Sequence, residues 1–186
     1  MEYVRCKSCG YIMKAGSTLE VCPACGVPAK MFEPYAERIS EKRLKILKMD
    51  IHPIIVHLPQ AFAAFLVILA AALYIPFSVP LHTMLHDTVV VLAAALPFTV
   101  LAAFGAGLID AKIRFRRVTT PILKRKILAG TLFFVFSAIA AALALLTGIG
   151  GGFALAAFLS LQVLSLQCGA MLGLWGSTLT NAAFPG

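Results

Sequence analysis

The 186-residue chain is 60% apolar, only 13% charged and has a formal net charge of +8. An average soluble domain is about half apolar and a quarter charged, so this composition excludes an ordinary soluble protein. Residues 1–50 hold nine Lys/Arg and six Asp/Glu, whereas residues 51–186 hold seven and two. The sequence therefore predicts one part in water and one in lipid. Much of the positive charge borders apolar segments, where it sets topology, so we expect no nucleic-acid partner.

Four of the five cysteines form two pairs near the N-terminus, with the spacing Cys-x2-Cys-x12-Cys-x2-Cys. Two intervening residues let both thiolates of a pair reach one ion from a tight turn, and four sulfurs in a tetrahedron suit zinc or iron. No apolar stretch precedes the first pair, so we expect a cytoplasmic location, where thiols stay reduced and disulfides are rare. The predicted metal ligands are Cys6, Cys9, Cys22 and Cys25.

A glycine follows the second cysteine of each pair, at Gly10 and Gly26. Glycine permits a positive φ angle, so backbone N–H groups can turn back towards the sulfurs. Such donors stabilise thiolates and tune a redox metal, and we predict that both glycines support the ligands in this way. About 35 residues cannot form a sizeable core, so a metal would contribute much of the folding free energy.

The residues around these cysteines resemble the short rubredoxin-like domain of rubrerythrins. The resemblance covers nearly all of residues 3–35, within a predicted domain of residues 1–35, and implies a small metal knuckle with one iron that alternates between the ferric and ferrous states. Short four-cysteine knuckles also bind zinc readily, so iron and zinc both stay open. The resemblance rests on Tyr3-Val4-Arg5-Cys6-Lys7-Ser8-Cys9-Gly10-Tyr11, Cys22-Pro23-Ala24-Cys25-Gly26 and Phe32-Glu33.

Residues 36–50 form a predicted linker without glycine or proline. They are rich in good helix formers, and their apolar and basic residues fall loosely on different sides. This pattern predicts a short amphipathic helix at the lipid interface. A solvated charged connector is the alternative.

Residues 51–186 predict an all-α transmembrane four-helix bundle. Each predicted span has roughly the twenty apolar residues that cross a bilayer core. Pro59 and Pro97 fall inside spans, which membrane helices tolerate. The predicted spans are residues 54–74, 86–108, 126–147 and 153–175.

The basic residues predict the orientation of the spans. All seven Lys/Arg after residue 50 lie between Lys112 and Lys126, and the other two loops have none. Because cytoplasmic loops carry the excess of Lys and Arg, both termini and the loop between the second and third spans are predicted to be cytoplasmic. We expect the inner (cytoplasmic) membrane of a bacterium or archaeon.

The four histidines lie near span ends: His52 and His57 open the first span, and His82 and His86 precede or begin the second. Ionisable groups at membrane depth are functional candidates, so haem, quinone and proton roles are considered. The alternative is a set of interfacial residues with hydrogen bonds to neighbouring helices. The predicted topology places the two pairs at opposite ends, which disfavours a haem shared between the first two spans.

The first two histidines belong to a second resemblance. His52-Pro53-Ile54-Ile55-Val56-His57-Leu58-Pro59 is similar to the opening motif of a bacterial family of four-span membrane proteins of unknown function. Ala106-Gly107-Leu108-Ile109-Asp110 resembles the segment that ends the second span in that family. The resemblance covers most of residues 51–176 and implies the four-span architecture.

Small residues recur at intervals of four in the last span, at Ser165, Gly169, Gly173 and Ser177. Such a stripe allows close helix packing, either inside the bundle or in a homodimer. The neighbouring Cys168 is interpreted as inert packing.

A rubredoxin-like metal domain joined to a membrane bundle predicts a membrane-anchored electron-transfer protein. It would relay single electrons from a cytoplasmic donor to a redox protein partner, a membrane complex or the quinone pool. The competing interpretation is a zinc knuckle that serves as a docking or regulatory module on a membrane subunit. No carboxylate pair, nucleophile–base pair or phosphate-binding loop is evident, so we expect an electron carrier rather than an independent catalyst.

Overall fold

A computed structural model of the chain describes residues 3–16, 20–36, 49, 51–115, 120–150 and 152–180. The strands belong to one compact unit and the helices to a second. The predicted fold class, a small knuckle domain followed by four apolar helices, is confirmed. The predicted linker helix lies largely outside the described residues.

The N-terminal unit is a three-stranded antiparallel sheet. Strand β1 spans Tyr3–Cys6, β2 spans Ile12–Lys14 and β3 spans Phe32–Tyr35, and β1 lies in the centre. A 3-10 turn at Ala29–Met31 leads into β3. The sheet thus places the end of β1, where the first cysteine pair begins, beside the segment that follows the second pair.

Cysteines take the place of an apolar core in this unit. Among its described residues only Cys6 and Cys22 are buried, with 0% and 1% of their surface exposed. A chain this short buries too little apolar surface to be stable by itself, so the cluster of sulfurs is its structural centre.

Four helices form the second unit, and all are long and apolar enough to cross a membrane. A helix of 22 residues is about 33 Å long, which matches a hydrocarbon core of about 30 Å. The protein is therefore a multi-pass membrane protein. The helices are α1 (Ile51–Ala72), α2 (Val79–Phe115), α3 (Pro121–Ala142, continued by a π-helical turn at Leu143–Thr147) and α4 (Gly152–Thr180).

All four helices begin before the predicted spans, and the differences are largest for α2 and α3. Helix α2 starts at Val79, because Pro80 is tolerated in a first turn, and the carbonyl of Ser78 accepts the His82 N–H at 2.9 Å. Helix α3 starts at Pro121, directly after Thr120, whose side chain accepts the N–H of Leu123. Residues near the predicted boundaries therefore lie inside helices rather than at their ends.

The helices run alternately in opposite directions. The start of α1 packs on the last turns of α2, where a Cβ on Gly107 would lie 2.9 Å from Cε1 of His52. The start of α3 similarly reaches the end of α4, where a Cβ on Gly176 would lie 3.5 Å from Nζ of Lys126. The buried core lies between the helices and includes Leu66, Val89, Leu96, Phe133 and Phe158.

The small-residue stripe of α4 packs inside the bundle at two positions. A Cβ on Gly169 would lie 3.4 Å from the ring of Phe133 in α3, and one on Gly173 would lie 3.5 Å from the Gln60 amide in α1. The absent side chains let α4 approach both helices closely.

Helix packing at Gly130 provides the first test. A Cβ there would lie 2.7 Å from Cδ2 of Phe104, so Gly130→Ala forces the ring to move and should destabilise the bundle by about 1–3 kcal/mol. Gly105→Ala is the matched control, because nothing lies within 4 Å of its Cβ position. Thermal unfolding in detergent should show a lower midpoint for Gly130→Ala only; equal midpoints would contradict this packing.

Candidate metal centre

Two tight turns of the same design carry the four cysteines. In the first, at Cys6–Tyr11, the Gly10 N–H donates to the Cys6 carbonyl at 2.9 Å and the Cys6 N–H donates to the Tyr11 carbonyl at 2.8 Å. The second, at Cys22–Val27, repeats both bonds at 2.8 and 2.7 Å. Each turn therefore holds its two cysteines by backbone hydrogen bonds that depend only on local sequence.

The glycine of each turn has a positive φ, 75° at Gly10 and 74° at Gly26. This is the conformation expected from the sequence, and other residues adopt it at a cost. Nothing lies within 4 Å of a Cβ at either glycine. The requirement for glycine is thus set by the backbone angle and not by space.

The two turns bring four sulfurs together. All four Sγ atoms lie within 4.8 Å of one another, and the Cys6–Cys25 and Cys9–Cys22 pairs are 3.8 Å apart. A tetrahedral ion with metal–sulfur bonds of about 2.3 Å places its sulfurs about 3.8 Å apart, so the cluster fits such an ion. Disulfide sulfurs would be about 2 Å apart, and all the cysteines are free.

The four cysteines differ in exposure. Cys6 and Cys22, the first of each pair, are buried, whereas Cys9 is half-buried and Cys25 is exposed. One side of the cluster therefore faces the interior of the small domain, and the other faces solvent.

One backbone N–H group points at the sulfur of Cys9. The N–H of Tyr11 donates to this sulfur, which lowers the pKa of the Cys9 thiol. Desolvation and hydrogen bonds with the other three thiols act in the opposite direction and together raise this pKa to about 12.

At Cys22 the effects that lower the thiol pKa outweigh the effect that raises it. Desolvation raises the pKa of its thiol, but the N–H groups of Cys25 and Ala24 and the thiols of Cys25 and Cys9 lower it to about 7. The hydrogen bonds around Cys22 thus stabilise negative charge on its sulfur, as a bound cation requires.

The histidines lie at the two ends of the helical unit. His57 is exposed, and His52 lies against Gly107. At the other end, a ring nitrogen of His82 lies 3.4 Å from the Leu73 carbonyl, and His86 lies 3.3 Å from the exposed carboxylate of Asp87. About 20 helical residues, roughly 30 Å, separate the two ends. The haem, quinone and proton roles of these histidines stay predictions.

The structure shows polar residues in the bundle whose positions the sequence analysis does not predict. Gln60 donates to the carbonyl of Gly169 at 3.3 Å, and Gln162 is completely buried. Lys126 lies inside α3, and its ammonium group interacts electrostatically with the Asp110 carboxylate. The Thr120-Pro121 pair could have predicted that Lys126 lies inside a helix, because this pair marks a helix start before the lysine.

The comparisons with known proteins agree with the geometry of the N-terminal unit. Residues 5–33 match the family described as the rubrerythrin, rubredoxin-like domain. No match was found among curated proteins, and none among solved structures. The predicted rubredoxin-like metal-binding domain is confirmed, and four apolar helices follow it in the same chain.

The positive φ of Gly10 provides the second test. Gly10→Ala should weaken metal retention by about 1–2 kcal/mol, because alanine is strained at this angle although space is available. Gly10→Asn should lose less, because asparagine tolerates positive φ better. Competition with a chromophoric chelator would measure both. Equal losses for the two variants would indicate that the angle is not the constraint.

Proposed function

We propose that Cys6, Cys9, Cys22 and Cys25 hold one iron ion and that the protein relays single electrons to an acceptor in the membrane. An iron ion bound by four thiolates supplies one-electron exchange between its ferric and ferrous states. A soluble donor would lose one electron at this domain, and a membrane protein or a quinone would gain it.

The observation that carries this proposal is a sulfur cluster with tetrahedral dimensions and one exposed side. Cys25 is exposed and Cys9 half-buried, so a soluble donor can approach the sulfurs closely. The N–H groups of Tyr11 and Ala24 point at sulfur and favour the more reduced, more negative state of such a site. A purely structural ion does not need an exposed ligand.

A zinc docking module is the competing function. Zinc takes the same tetrahedral four-sulfur geometry, and the small domain exposes apolar side chains at Tyr11, Ile12 and Val21 that a protein partner could cover. Under this alternative the ion stabilises the fold and does not change its charge.

We further propose that the metal domain and the C-terminus lie in the cytoplasm. The alternating helix directions place the basic segment between Lys112 and Lys126 on the same side of the bundle as the start of α1. This arrangement is the one that the excess of cytoplasmic Lys and Arg favours.

Metal content and absorption would test the redox proposal. Protein purified without oxygen in mild detergent should hold about one iron per chain and show thiolate-to-iron bands that bleach with dithionite. Cys22→Ser should remove both the iron and the bands. Cys168→Ser is the matched control, because this cysteine lies in α4, outside the cluster, and should leave both unchanged.

A colourless protein with about one zinc, also after expression in iron-rich medium, would refute electron transfer and favour the docking module. Additional Soret absorption would assign haem to the membrane domain, and the histidine variants would then identify its ligands.

Reporter fusions would test the orientation. Alkaline phosphatase fused after Gly150, in the loop between α3 and α4, should be active because this loop is expected outside the cytoplasm. The same reporter fused after Arg117, in the basic segment, should be inactive. The reversed pattern would show that the metal domain lies outside the cytoplasm.

A further inference from the structure

One face of α4 points away from the helical bundle. Its exposed residues follow one another in alternating steps of three and four, a spacing that keeps them on one side of a helix. The outward face, as we call it, consists of Phe153, Ala156, Ser160, Val163, Gln167, Ala170 and Leu174. The opposite side of the helix, which includes Phe158 and Gln162, is buried. In a membrane the outward face therefore meets lipid or another protein.

The amide of Gln167 does not suit lipid. Gln167 is fifteen residues from the first and ten from the last residue of the span Gly152–Ser177, which is about 22 Å and 15 Å along the helix. Its short side chain is therefore far from both head-group layers. A glutamine amide has two N–H donors and a carbonyl acceptor, and hydrocarbon tails pair with none of them. Leaving such a group unpaired in lipid costs free energy.

Other exposed polar side chains of the spans avoid this cost within their own helix. The hydroxyls of Thr88, Thr131 and Ser160 each donate to the carbonyl four residues earlier, at 2.7 to 2.9 Å. The Gln167 amide makes no hydrogen bond with any residue that the structure describes. A partner for this amide is therefore expected from outside the four helices.

The chemistry of the outward face favours a second copy of the same chain. Two copies in one membrane share their orientation, so a twofold axis along the membrane normal places their α4 helices parallel, with identical residues facing each other. An amide is both donor and acceptor, so two Gln167 side chains can each donate to the carbonyl oxygen of the other. Helix α4 contains no charged residue, so nothing on this face favours a partner of opposite charge.

The residues around Gln167 allow two such helices to come close. Ala156, Ser160 and Ala170 are small, and small residues let the backbones of membrane helices approach each other. The seven-residue repeat suits two helices that cross at about 20°. A single polar residue in the contact line of such a pair fixes its register and favours two strands. Gln167 is suited to this role.

We propose that the protein forms a homodimer in the membrane through the outward face of α4, with the two Gln167 amides hydrogen-bonded to each other. The small-residue stripe at Gly169 and Gly173 packs against α1 and α3 within one chain, so the dimer uses a different side of the same helix. The inference does not depend on the proposed electron relay, because no residue of the metal domain takes part.

Energy transfer in liposomes would test the dimer. The full-length protein, fused at its C-terminus to a donor or an acceptor fluorescent protein, would be reconstituted at increasing dilution in lipid. Transfer in the wild type should persist well below the density at which random proximity accounts for it. Gln167→Leu should raise the apparent dissociation constant about tenfold, because the dimer loses its two interhelical hydrogen bonds. Gln167→Asn, which keeps an amide, should lose less.

Gln162→Leu is the matched control, because it makes the same substitution on the buried side of the same helix. It should change the dissociation constant less than twofold. Thermal unfolding shows that the variants are folded. Gln167→Leu should unfold at the wild-type temperature when both are diluted to monomers, because the side chain is exposed in one chain.

Two results would overturn the proposal. Wild-type transfer no greater than random proximity predicts would show that the chain is monomeric, and would indicate that a different membrane protein covers Gln167. A wild-type dimer whose dissociation constant is the same in Gln167→Leu would show that the two copies meet through another face.

Discussion

Four sulfur atoms within 4.8 Å of one another are the interaction on which the N-terminal domain depends. Its strands are three or four residues long, and its only described buried residues are two of the cysteines. Such a unit lacks the apolar area to fold by burial alone, so the free energy of metal binding is also its folding free energy. The two turns are nevertheless shaped by their own backbone hydrogen bonds and by glycines with positive φ. The geometry of each cysteine pair is thus fixed by its own turn, and the ion would join the two turns.

The helical unit is surrounded by lipid rather than by water. Lipid cannot satisfy backbone polar groups, so the chain crosses it in long, uninterrupted helices with almost no charge along them. A buried polar side chain in such a bundle is unusual, because burying it costs free energy that an apolar side chain would not cost. Gln162, Ser165 and Gln60 lie along one side of the bundle, and Lys126 and Asp110 follow at its end. The interior of the bundle is therefore not uniformly apolar.

The two units have separate bases. The small domain brings four thiols within reach of one ion, and Cys25 and part of Cys9 face solvent. The helical unit has four helices long and apolar enough to cross a membrane. In the proposed electron relay, a soluble donor would approach the exposed cysteines and the acceptor would lie in the membrane.

The sequence alone predicted the clustered cysteines and the four apolar helices, because both signals are local. A Cys-x2-Cys pair needs only one turn to bring its sulfurs together, and twenty apolar residues identify a span by composition. Tertiary structure decided where the polar residues of the spans lie. Helices that are apolar on nearly every side carry little periodic signal, so the pattern does not show that Gln162 faces inwards while Gln167 faces outwards. The contact between His52 and Gly107, 55 residues apart, likewise exists only because α1 and α2 pack in opposite directions.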